Sequence, residues 1–214
     1  MNNALCRVGV FYDGGHFAKA QSYFFAKDQK WLHPTPFHDL IEHFIRKQEQ
    51  NFTTHKVVYA AWYQGLYPSS RANEKQLRKD RNRHTDLMHA GVEVQFVPIS
   101  HSSDKEKGVD VALAVDAMEV GLDGKIDVAV LVTGDGDFVP LVRRLMKHGI
   151  RVAGFYFEYE HFHNNNNYRA FANKRLLEAC NYSLNINQLE NEKDCRGLFQ
   201  SLFRQPKQPN IHRP

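Results

Sequence analysis

The chain has little cysteine and no long apolar run. Its three cysteines, Cys6, Cys180 and Cys195, are far apart and lack any CxxC spacing, which predicts neither a disulfide framework nor a zinc knuckle. No segment approaches the roughly 18 apolar residues that span a bilayer, and no basic segment leads into a long apolar stretch near residue 1. We therefore expect a protein that is neither exported nor embedded in a membrane, with the cytoplasm as its location.

A strong charge of one sign is also absent, because the formal net charge is only +4. This balance permits a polyanionic partner without demanding one. A length of 214 residues with 42% hydrophobic residues fits one globular domain. We predict a single domain over residues 1–203, with its motifs in a core at 7–185. A basic, proline-containing tail at 204–214 is expected to be disordered.

Five short apolar runs alternate with longer amphipathic stretches, a pattern typical of a parallel α/β sheet. The predicted strands cover residues 7–12, 56–61, 92–97, 126–132 and 150–157. The predicted helices cover residues 16–27, 36–49, 71–90, 107–121, 137–148 and 169–179, and the asparagine run 164–167 is expected to form a loop. Because residues 128–132 are apolar throughout, the fourth strand is expected to be central, with the strand order 3-2-1-4-5.

Two of the predicted strands run directly into acidic residues that have glycines beside them. The fourth leads into Asp135 and Asp137, and the first leads into Asp13. Ligands of an open parallel sheet bind beyond the carboxyl ends of its strands, and adjacent strands would place Asp13 and Asp135 about 5 Å apart. Carboxylates this close repel each other, which favours a shared divalent cation with oxygen ligands. The absence of cysteine or paired-histidine ligands argues against zinc.

Two further acids lie on the helix predicted at 107–121. At about 100° per residue, Asp110 falls at the edge of the apolar face and Asp116 falls within it. Asp110, in the first turn, is a candidate ligand. Asp116, about 9 Å deeper along the axis, is expected to support the site without binding the ligand itself, or to have a structural role. Its alternative is a buried acid that is hydrogen-bonded to backbone or to a hydroxyl such as that of Thr133. The alternatives are a helix N-terminal acid for Asp110 and helix caps for Asp135 or Asp137.

Three motifs in this order resemble those of the NYN domain family, specifically its LabA-like bacterial branch. They are Phe11-Tyr12-Asp13-Gly14-Gly15, Lys107-Gly108-Val109-Asp110-Val111-Ala112-Leu113-Ala114-Val115-Asp116 and Leu131-Val132-Thr133-Gly134-Asp135-Gly136-Asp137-Phe138-Val139-Pro140-Leu141. The resemblance implies a PIN-like fold with three α/β/α layers around a mainly parallel sheet. It also implies a Mg²⁺- or Mn²⁺-dependent ribonuclease whose catalytic and metal-binding carboxylates are Asp13, Asp110, Asp135 and Asp137.

Two positions depart from the family pattern. The first motif of the family usually runs Asp-x-x-Asn, and residue 16 here is histidine. His16 would take over the contact of the asparagine, add a phosphate interaction when protonated, or indicate weakened catalysis; a packing role is the alternative. The family often has Ala-Asp before a final strand, whereas this chain has Ala179-Cys180-Asn181, so the resemblance supports no acid from that segment.

Basic and aromatic residues near the predicted site suggest single-stranded RNA as the partner. Arg71, Lys75, Arg78 and Lys79 follow the spacing of one helix face, which would contact a phosphate backbone. Trp62 and Tyr63 lie just beyond the second predicted strand, where exposed rings would stack on unpaired bases. Lys107, beside Asp110, would contact a phosphate oxygen or neutralise the acidic cluster. A solvated helix face and packing aromatics are the alternatives.

Other functions remain open at this point. A phosphatase of the haloacid type needs Asp-x-Asp after the first strand, and residue 15 is glycine. A catalytically weak or inactive module that binds RNA or a protein is the main alternative, and His16 supports it. DNA as a substrate is not excluded. A homodimer would be supported if the aromatic segment 155–162 is exposed.

Overall fold

A six-stranded sheet forms the centre of the fold, and each adjacent pair of its strands is parallel. The structure is a computed structural model that describes residues 3–66, 72–98 and 108–204. The strand order is β4-β3-β1-β5-β6-β9. The strands of this sheet are β1 (Asn3–Asp13), β3 (Phe52–Leu66), β4 (Glu93–Pro98), β5 (Val128–Val132), β6 (Arg151–Tyr156) and β9 (Tyr182–Asn185).

Helices cover both faces of this sheet. They are α1 (Gly14–Asp28), α2 (Pro34–Gln48), α3 (Glu74–His89), α4 (Val109–Leu122), α5 (Val139–Lys147), α6 (Lys174–Ala179) and α7 (Arg196–Ser201). Buried residues of α1, α2, α3 and α7 share one apolar cluster, and those of α4, α5 and α6 share the other. The fold therefore has the predicted α/β/α layers.

Alternation along the strands explains why two cores form. Val128, Val130 and Val132 of β5 face the first cluster, whereas Ala129 and Leu131 face the second. Successive side chains of a strand point to opposite faces, so a strand that is apolar at every position is buried on both sides. All five residues of β5 are buried, which matches its predicted place inside the sheet.

Four short strands lie outside the main sheet. Strand β2 (Trp31–Leu32) pairs with β10 (Phe203–Arg204), and β7 (Tyr159–His163) forms a hairpin with β8 (Asn166–Ala170). The hairpin turn is at Asn164 and Asn165, which have φ values of 48° and 60°. Asparagine tolerates this left-handed conformation because its short side chain can hydrogen-bond locally.

The predicted order 3-2-1-4-5 is confirmed for the five predicted strands, which are β1, β3, β4, β5 and β6, and the structure adds β9 at one edge. The helix predicted at 169–179 is wrong at its beginning, because residues 169 and 170 belong to β8 and α6 begins at Lys174. The asparagine run is likewise more ordered than a plain loop, since the local hydrogen bonds of its side chains favour a tight turn between two strands.

The aromatic segment 155–162 is mostly buried, with Phe155 and Phe157 at 0% exposure and only Phe162 largely exposed, at 69%. The condition that would have supported a homodimer is therefore not met. No helix in the described ranges is long and apolar enough to cross a membrane. The predicted tail lies outside the described residues, apart from Arg204, which belongs to β10.

Candidate functional site

Asp13 and Asp135 line one cavity at the carboxyl ends of the adjacent strands β1 and β5. The two strands pair in parallel as far as Tyr12 opposite Val132, so the acids that follow them reach the same edge of the sheet. The cavity, which we call the cleft, has a volume of about 520 Å³. Thr133 also lines the cleft and donates its hydroxyl hydrogen bond to Oδ2 of Asp13 at 2.9 Å.

Asp13 joins β1 to α1 and caps the helix. Its Oδ1 accepts a hydrogen bond from the backbone N–H of His16 at 3.0 Å, so the N-terminus of α1 points toward this carboxylate. The partial positive charge of a helix N-terminus stabilises an anion there. The hydrogen bonds from His16 and Thr133 use one position on each carboxylate oxygen, and an ionised carboxylate offers about four. Asp13 therefore keeps acceptor capacity for a ligand.

Asp135 and Asp137 lie on a short 3₁₀ helix, Gly136–Phe138. The backbone N–H of Asp137 donates to Oδ1 of Asp135 at 2.9 Å, and the backbone N–H of Asp135 donates to Oγ1 of Thr133 at 3.2 Å. Asp135 therefore does cap a helical turn, as the alternative interpretation suggested, while its side chain remains exposed to the cleft. Asp137 is exposed as well, and it does not line the cleft.

Asp110 and Asp116 lie on α4, on the opposite face of the sheet from α1. Asp110 is exposed in the first turn of that helix and does not line the cleft. Asp116 is half-buried, and its Oδ2 accepts hydrogen bonds from the hydroxyls of Tyr59, at 2.6 Å, and Tyr63. The alternative interpretation of Asp116, an acid that accepts a hydrogen bond from a hydroxyl, agrees with these contacts, but Thr133 is not its partner because Thr133 lies in the cleft beside Asp13. A role of Asp116 in the site stays a prediction.

His16 lies in the cleft with its ring against Phe157. The backbone N–H of Phe157 donates to Nε2 at 3.4 Å, which places the proton of the neutral ring on Nδ1. Burial lowers the pKa of His16, while the nearby Asp13 and Asp135 carboxylates act in the opposite direction and Lys19 adds to the lowering. The net lowering favours a neutral ring, so the arrangement does not support the imidazolium that a protonated phosphate contact would require.

Sequence reasoning missed residues that complete the cleft. Lys19 reaches it from α1, strand β8 adds Arg169, and the segment after the β7–β8 hairpin adds Phe171 and Asn173. The backbone N–H of Asn173 donates to the carbonyl of Gly134 at 2.8 Å, which ties this segment to the loop that carries Asp135. Lys19 could have been found from its spacing of three from His16 on one helix. Arg169 had no motif to reveal it.

The predicted aromatic contacts are wrong. Trp62 is 2% exposed and Tyr63 is 0% exposed, so neither ring is open to stack on a base at a free surface. The reason is that β3 continues to Leu66, and residues expected just past the strand lie within it, beneath α1 on one face and α4 on the other.

The predicted basic contacts have mixed outcomes. Lys75, Arg78 and Lys79 are exposed on α3, but they line a second cavity rather than the cleft. Arg71 and Lys107 lie outside the described residues, and their roles stay predictions.

Gly14, which follows Asp13, lies against β3. A Cβ atom at this position would be 2.6 Å from Nε1 of Trp62 and 2.6 Å from the carbonyl oxygen of Tyr63. Any side chain would therefore collide with the strand. The first turn of α1 can approach β3 this closely only because residue 14 is glycine.

The donors of the cleft fit a hard divalent cation. Carboxylate and hydroxyl oxygens are the preferred ligands of such ions, and Mg²⁺ is usually held by one or two carboxylates together with waters. Asp13 and Asp135 supply that number. Across residues 3–66, 72–98 and 108–204, however, no group of three or more His, Cys, Asp or Glu residues is placed to hold a metal ion. The predicted convergence of four carboxylates on one point is therefore not found in this part of the chain.

Fold and site together define a PIN-like α/β/α protein with acidic residues at the carboxyl edge of its sheet. The model of the NYN domain family matches residues 7–187. The chain therefore belongs to the NYN domain family, a PIN-like family of nuclease type whose nucleases generally use divalent metal ions.

Comparison with solved structures gives a match to a protein of unknown function from Vibrio parahaemolyticus. The TM-score is 0.55 at 20% identity, over 84% of this chain and 92% of that one. At this identity the similarity shows the fold alone. A comparison with curated protein sequences finds no match.

Proposed function

We propose that this protein is a metal-dependent ribonuclease that hydrolyses phosphodiester bonds of single-stranded RNA in the cleft. The observation that carries the proposal is the meeting of Asp13 and Asp135 in one cavity, at the edge of a parallel sheet where ligands of such folds bind. Family membership supports nuclease chemistry, and the oxygen donors of the cleft support a divalent ion.

Asp13 and Asp135 would hold the Mg²⁺ or Mn²⁺ ion. When bound, the ion supplies a water of lowered pKa and positive charge that stabilises the transition state. Thr133 orients both acids, because its hydroxyl donates to Asp13 and accepts from the backbone N–H of Asp135. Two acids fixed through one hydroxyl need little rearrangement before they bind a ligand, which reduces the free-energy cost of assembling the site.

Lys19 and Arg169 would bind the phosphate. Both line the cleft with Asp13 and Asp135, so cations stand beside the place where a phosphodiester must lie. A guanidinium matches two phosphate oxygens at once, whereas an ammonium acts as a point charge. Phe171 lines the same cleft and is 66% exposed, which makes it the ring that we expect to stack on a base next to the cleaved bond.

Asp110 and Asp137 are proposed as further carboxylates of the reaction. Both are exposed, Asp137 two residues beyond Asp135 and Asp110 in the first turn of α4. Since neither lines the cleft, replacing either with asparagine is expected to reduce cleavage less than replacing Asp13 or Asp135.

The test is cleavage of a labelled single-stranded RNA with Mg²⁺, with Mn²⁺ and with a chelator. We expect metal-dependent cleavage by the wild type and a loss of at least about 100-fold in Asp13→Asn and Asp135→Asn, since each removes charge at the metal position. Asp39→Asn is the matched control, because Asp39 is an exposed aspartate on α2 outside the cleft.

Thermal melting and calorimetry complete the test. Asp13→Asn and Asp135→Asn are expected to melt near the wild-type temperature and to lose heat of Mg²⁺ binding. Full metal-dependent cleavage by both purified variants would refute the proposed function.

One observation favours a second candidate, an RNA-binding module with little or no turnover. Among the described residues, no group of three or more His, Cys, Asp or Glu residues is placed to hold a metal ion, so the four carboxylates that the family resemblance implies for catalysis do not gather at one point. RNA binding without cleavage in either metal would support this second candidate. Metal-dependent turnover would reject it.

A further inference from the structure

A second cavity lies on the other side of α1 from the cleft. We call it the groove; it has a volume of about 940 Å³ and runs between α1, α3 and β2. His16 and Lys19 of α1 face the cleft, whereas Phe17 and Phe25 of the same helix line the groove. The two cavities are therefore separate, and one helix forms a wall of each.

The wall formed by α3 is basic. Four of its cations and one of its carboxylates line the groove. The cations are Lys75, Arg78, Lys79 and Arg83, and the carboxylate is Asp86. Residues 75, 79 and 83 are four apart and therefore share a helix face. Lys75, Arg78 and Lys79 are exposed, and none of the three forms an ion pair with another described residue. Their charges are free to meet an anion that enters the groove.

The opposite wall is aromatic and accessible. Phe25 is 40% exposed and Trp31 is 47% exposed, and their ring centroids lie 5.2 Å apart with an angle of 54° between the ring planes. Exposed rings with this spacing offer adjacent surfaces on which flat, unpaired bases can stack. An aromatic wall opposite a basic wall fits a ligand that carries bases on one side and phosphates on the other.

The floor of the groove is fixed by a hydrogen-bonded cation. The Arg83 guanidinium lies over the Trp62 ring, 5.6 Å from its centroid. Oε1 of Gln64 accepts hydrogen bonds from Nη1 of Arg83 at 2.8 Å and from Nε1 of Trp62 at 3.0 Å. This arrangement holds Arg83 in place before a ligand arrives, so less rotamer entropy is lost on binding.

We infer that the groove binds an unpaired nucleic acid strand, with its phosphates along Lys75, Arg78 and Lys79 and its bases on Phe25 and Trp31. Gly14 and Phe25 are eleven residues apart on α1, which corresponds to about 16 Å along the helix axis. The groove therefore extends away from the cleft. Binding in the groove is a property distinct from cleavage and does not require the proposed metal site.

Charge argues against the chain's own C-terminal residues as the occupant. Strand β10 pairs with β2, with Arg204 opposite Trp31, a residue that lines the groove. Residues 205–214 contain Lys207 and Arg213 and no acidic residue. A basic segment would be repelled by the basic wall, whereas a polyanion is attracted by it.

Tryptophan fluorescence tests the aromatic wall directly. The chain has two tryptophans, and Trp62 is buried while Trp31 is exposed. A single-stranded oligonucleotide that stacks on Trp31 is expected to quench the emission. Trp31→Phe is expected to abolish that quench while retaining most of the affinity, because phenylalanine also stacks. In Phe25→Ala/Trp31→Ala the affinity is expected to fall by at least about 30-fold, because two stacking rings are removed. Phe162→Ala, which removes an exposed ring outside both cavities, is expected to bind like the wild type.

Fluorescence anisotropy with a labelled oligonucleotide tests the basic wall. The measurement is made with a chelator present, so that cleavage cannot consume the ligand. Lys75→Glu/Arg78→Glu/Lys79→Glu is expected to weaken binding and to reduce the slope of log K against log salt by about 2. The matched control, Arg143→Glu/Arg144→Glu/Lys147→Glu, makes the same charge change on exposed residues of α5 and is expected to bind close to wild type.

The same measurement with single-stranded RNA and with single-stranded DNA of one sequence shows which of the two the groove binds. A loss of affinity in the groove variants for either strand supports the inference. Three outcomes would overturn it. They are an affinity for a duplex equal to that for a single strand, a loss of affinity in the α5 control equal to that in the α3 variant, and unchanged affinity in the α3 and aromatic variants. Melting curves confirm that each variant is folded. Because affinity is measured without metal, failure of groove binding is distinguishable from failure of the proposed cleavage.

Discussion

The acidic residues at the two ends of the parallel strands have different partners. We call the side of the sheet where the strands begin the amino edge and the side where they end the carboxyl edge. At the amino edge, Asp127 just before β5 pairs with the guanidinium of Arg7 through Nη2 at 2.8 Å and Nε at 3.0 Å. At the carboxyl edge, the strand is followed by Asp135, which forms no ion pair with any described residue. One strand therefore begins beside a neutralised acid and ends at an acid with unused acceptor capacity.

This difference shows at which edge the carboxylates can still bind a ligand. A carboxylate whose oxygens are taken by an arginine fork stabilises the fold, because removal of either partner leaves a charge without its counterpart. Glu49 shows the same principle at the amino edge, where it accepts a hydrogen bond from the hydroxyl of Tyr182 at 2.8 Å and pairs with Arg151. The carboxyl edge instead holds its acids by backbone N–H groups and one hydroxyl, so their charge remains available to a ligand.

The largest effect expected in this comparison is on catalysis at the carboxyl edge. Arg169→Ala is expected to reduce single-stranded RNA cleavage by about 10- to 100-fold, since a charged contact to phosphate contributes about 1.5–3 kcal/mol. Its thermal stability is expected to stay near that of the wild type, because Arg169 is exposed. Steady-state cleavage and a melting curve measure the two effects. Unchanged cleavage would show that Arg169 does not bind the phosphate.

A smaller effect, on the free energy of unfolding, is expected at Asp116. This carboxylate lies between the two edges and accepts hydrogen bonds from two tyrosine hydroxyls. Tyr63→Phe removes one hydroxyl that donates to this carboxylate, and we expect a loss of about 2 kcal/mol in the free energy of unfolding. RNA cleavage is expected to remain within about twofold of the wild type. Urea denaturation provides the stability, and the cleavage assay provides the control. A large loss of activity with little loss of stability would place Asp116 functionally with Asp13.

The smallest effect is expected at the amino edge and depends on pH. Burial tends to raise the pKa of Asp127, but the hydrogen bonds and charge of Arg7 outweigh it, so the pKa is lowered overall. A lowered pKa in the folded state contributes stability above the unfolded value of about 3.9 and loses it as pH falls through the folded value.

The substitution Asp127→Asn is therefore expected to cost about 1 kcal/mol at pH 7, a modest amount because the pair is partly exposed. The difference from the wild type should shrink below about pH 4. Unfolding free energies from pH 7 down to pH 2.5 measure it. A constant difference over this range would mean that the ion pair is not its cause.

The sequence allowed the strand order and the meeting of Asp13 with Asp135 to be predicted, because both follow from local patterns. Apolar runs of strand length mark β1 and β5, and parallel neighbours must end at the same edge. The dual role of Asp135, as a helix cap and as a cleft residue, was also visible as an alternative, whereas the capping role of Asp13 was not predicted. Asp110 and Asp137 met the same pattern yet do not line the cleft.

The rest of the site depended on features that local patterns do not encode. Arg169 and Phe171 reach the cleft because a hairpin turns at two left-handed asparagines, and nothing in their own sequence neighbourhood marks them as functional. Trp62 and Tyr63 were misplaced because β3 extends to Leu66, and the length of a strand is set by its neighbours in the sheet as much as by its own residues.

Gly14 has a consequence for how far this chain can vary. A methyl group there would overlap both the indole of Trp62, which lines the groove, and the backbone of β3. Backbone cannot give way cheaply, so even alanine would push the first turn of α1 outward and carry Asp13 with it. An added methyl group at residue 14 would therefore disturb a wall of the groove and the position of a cleft carboxylate at the same time.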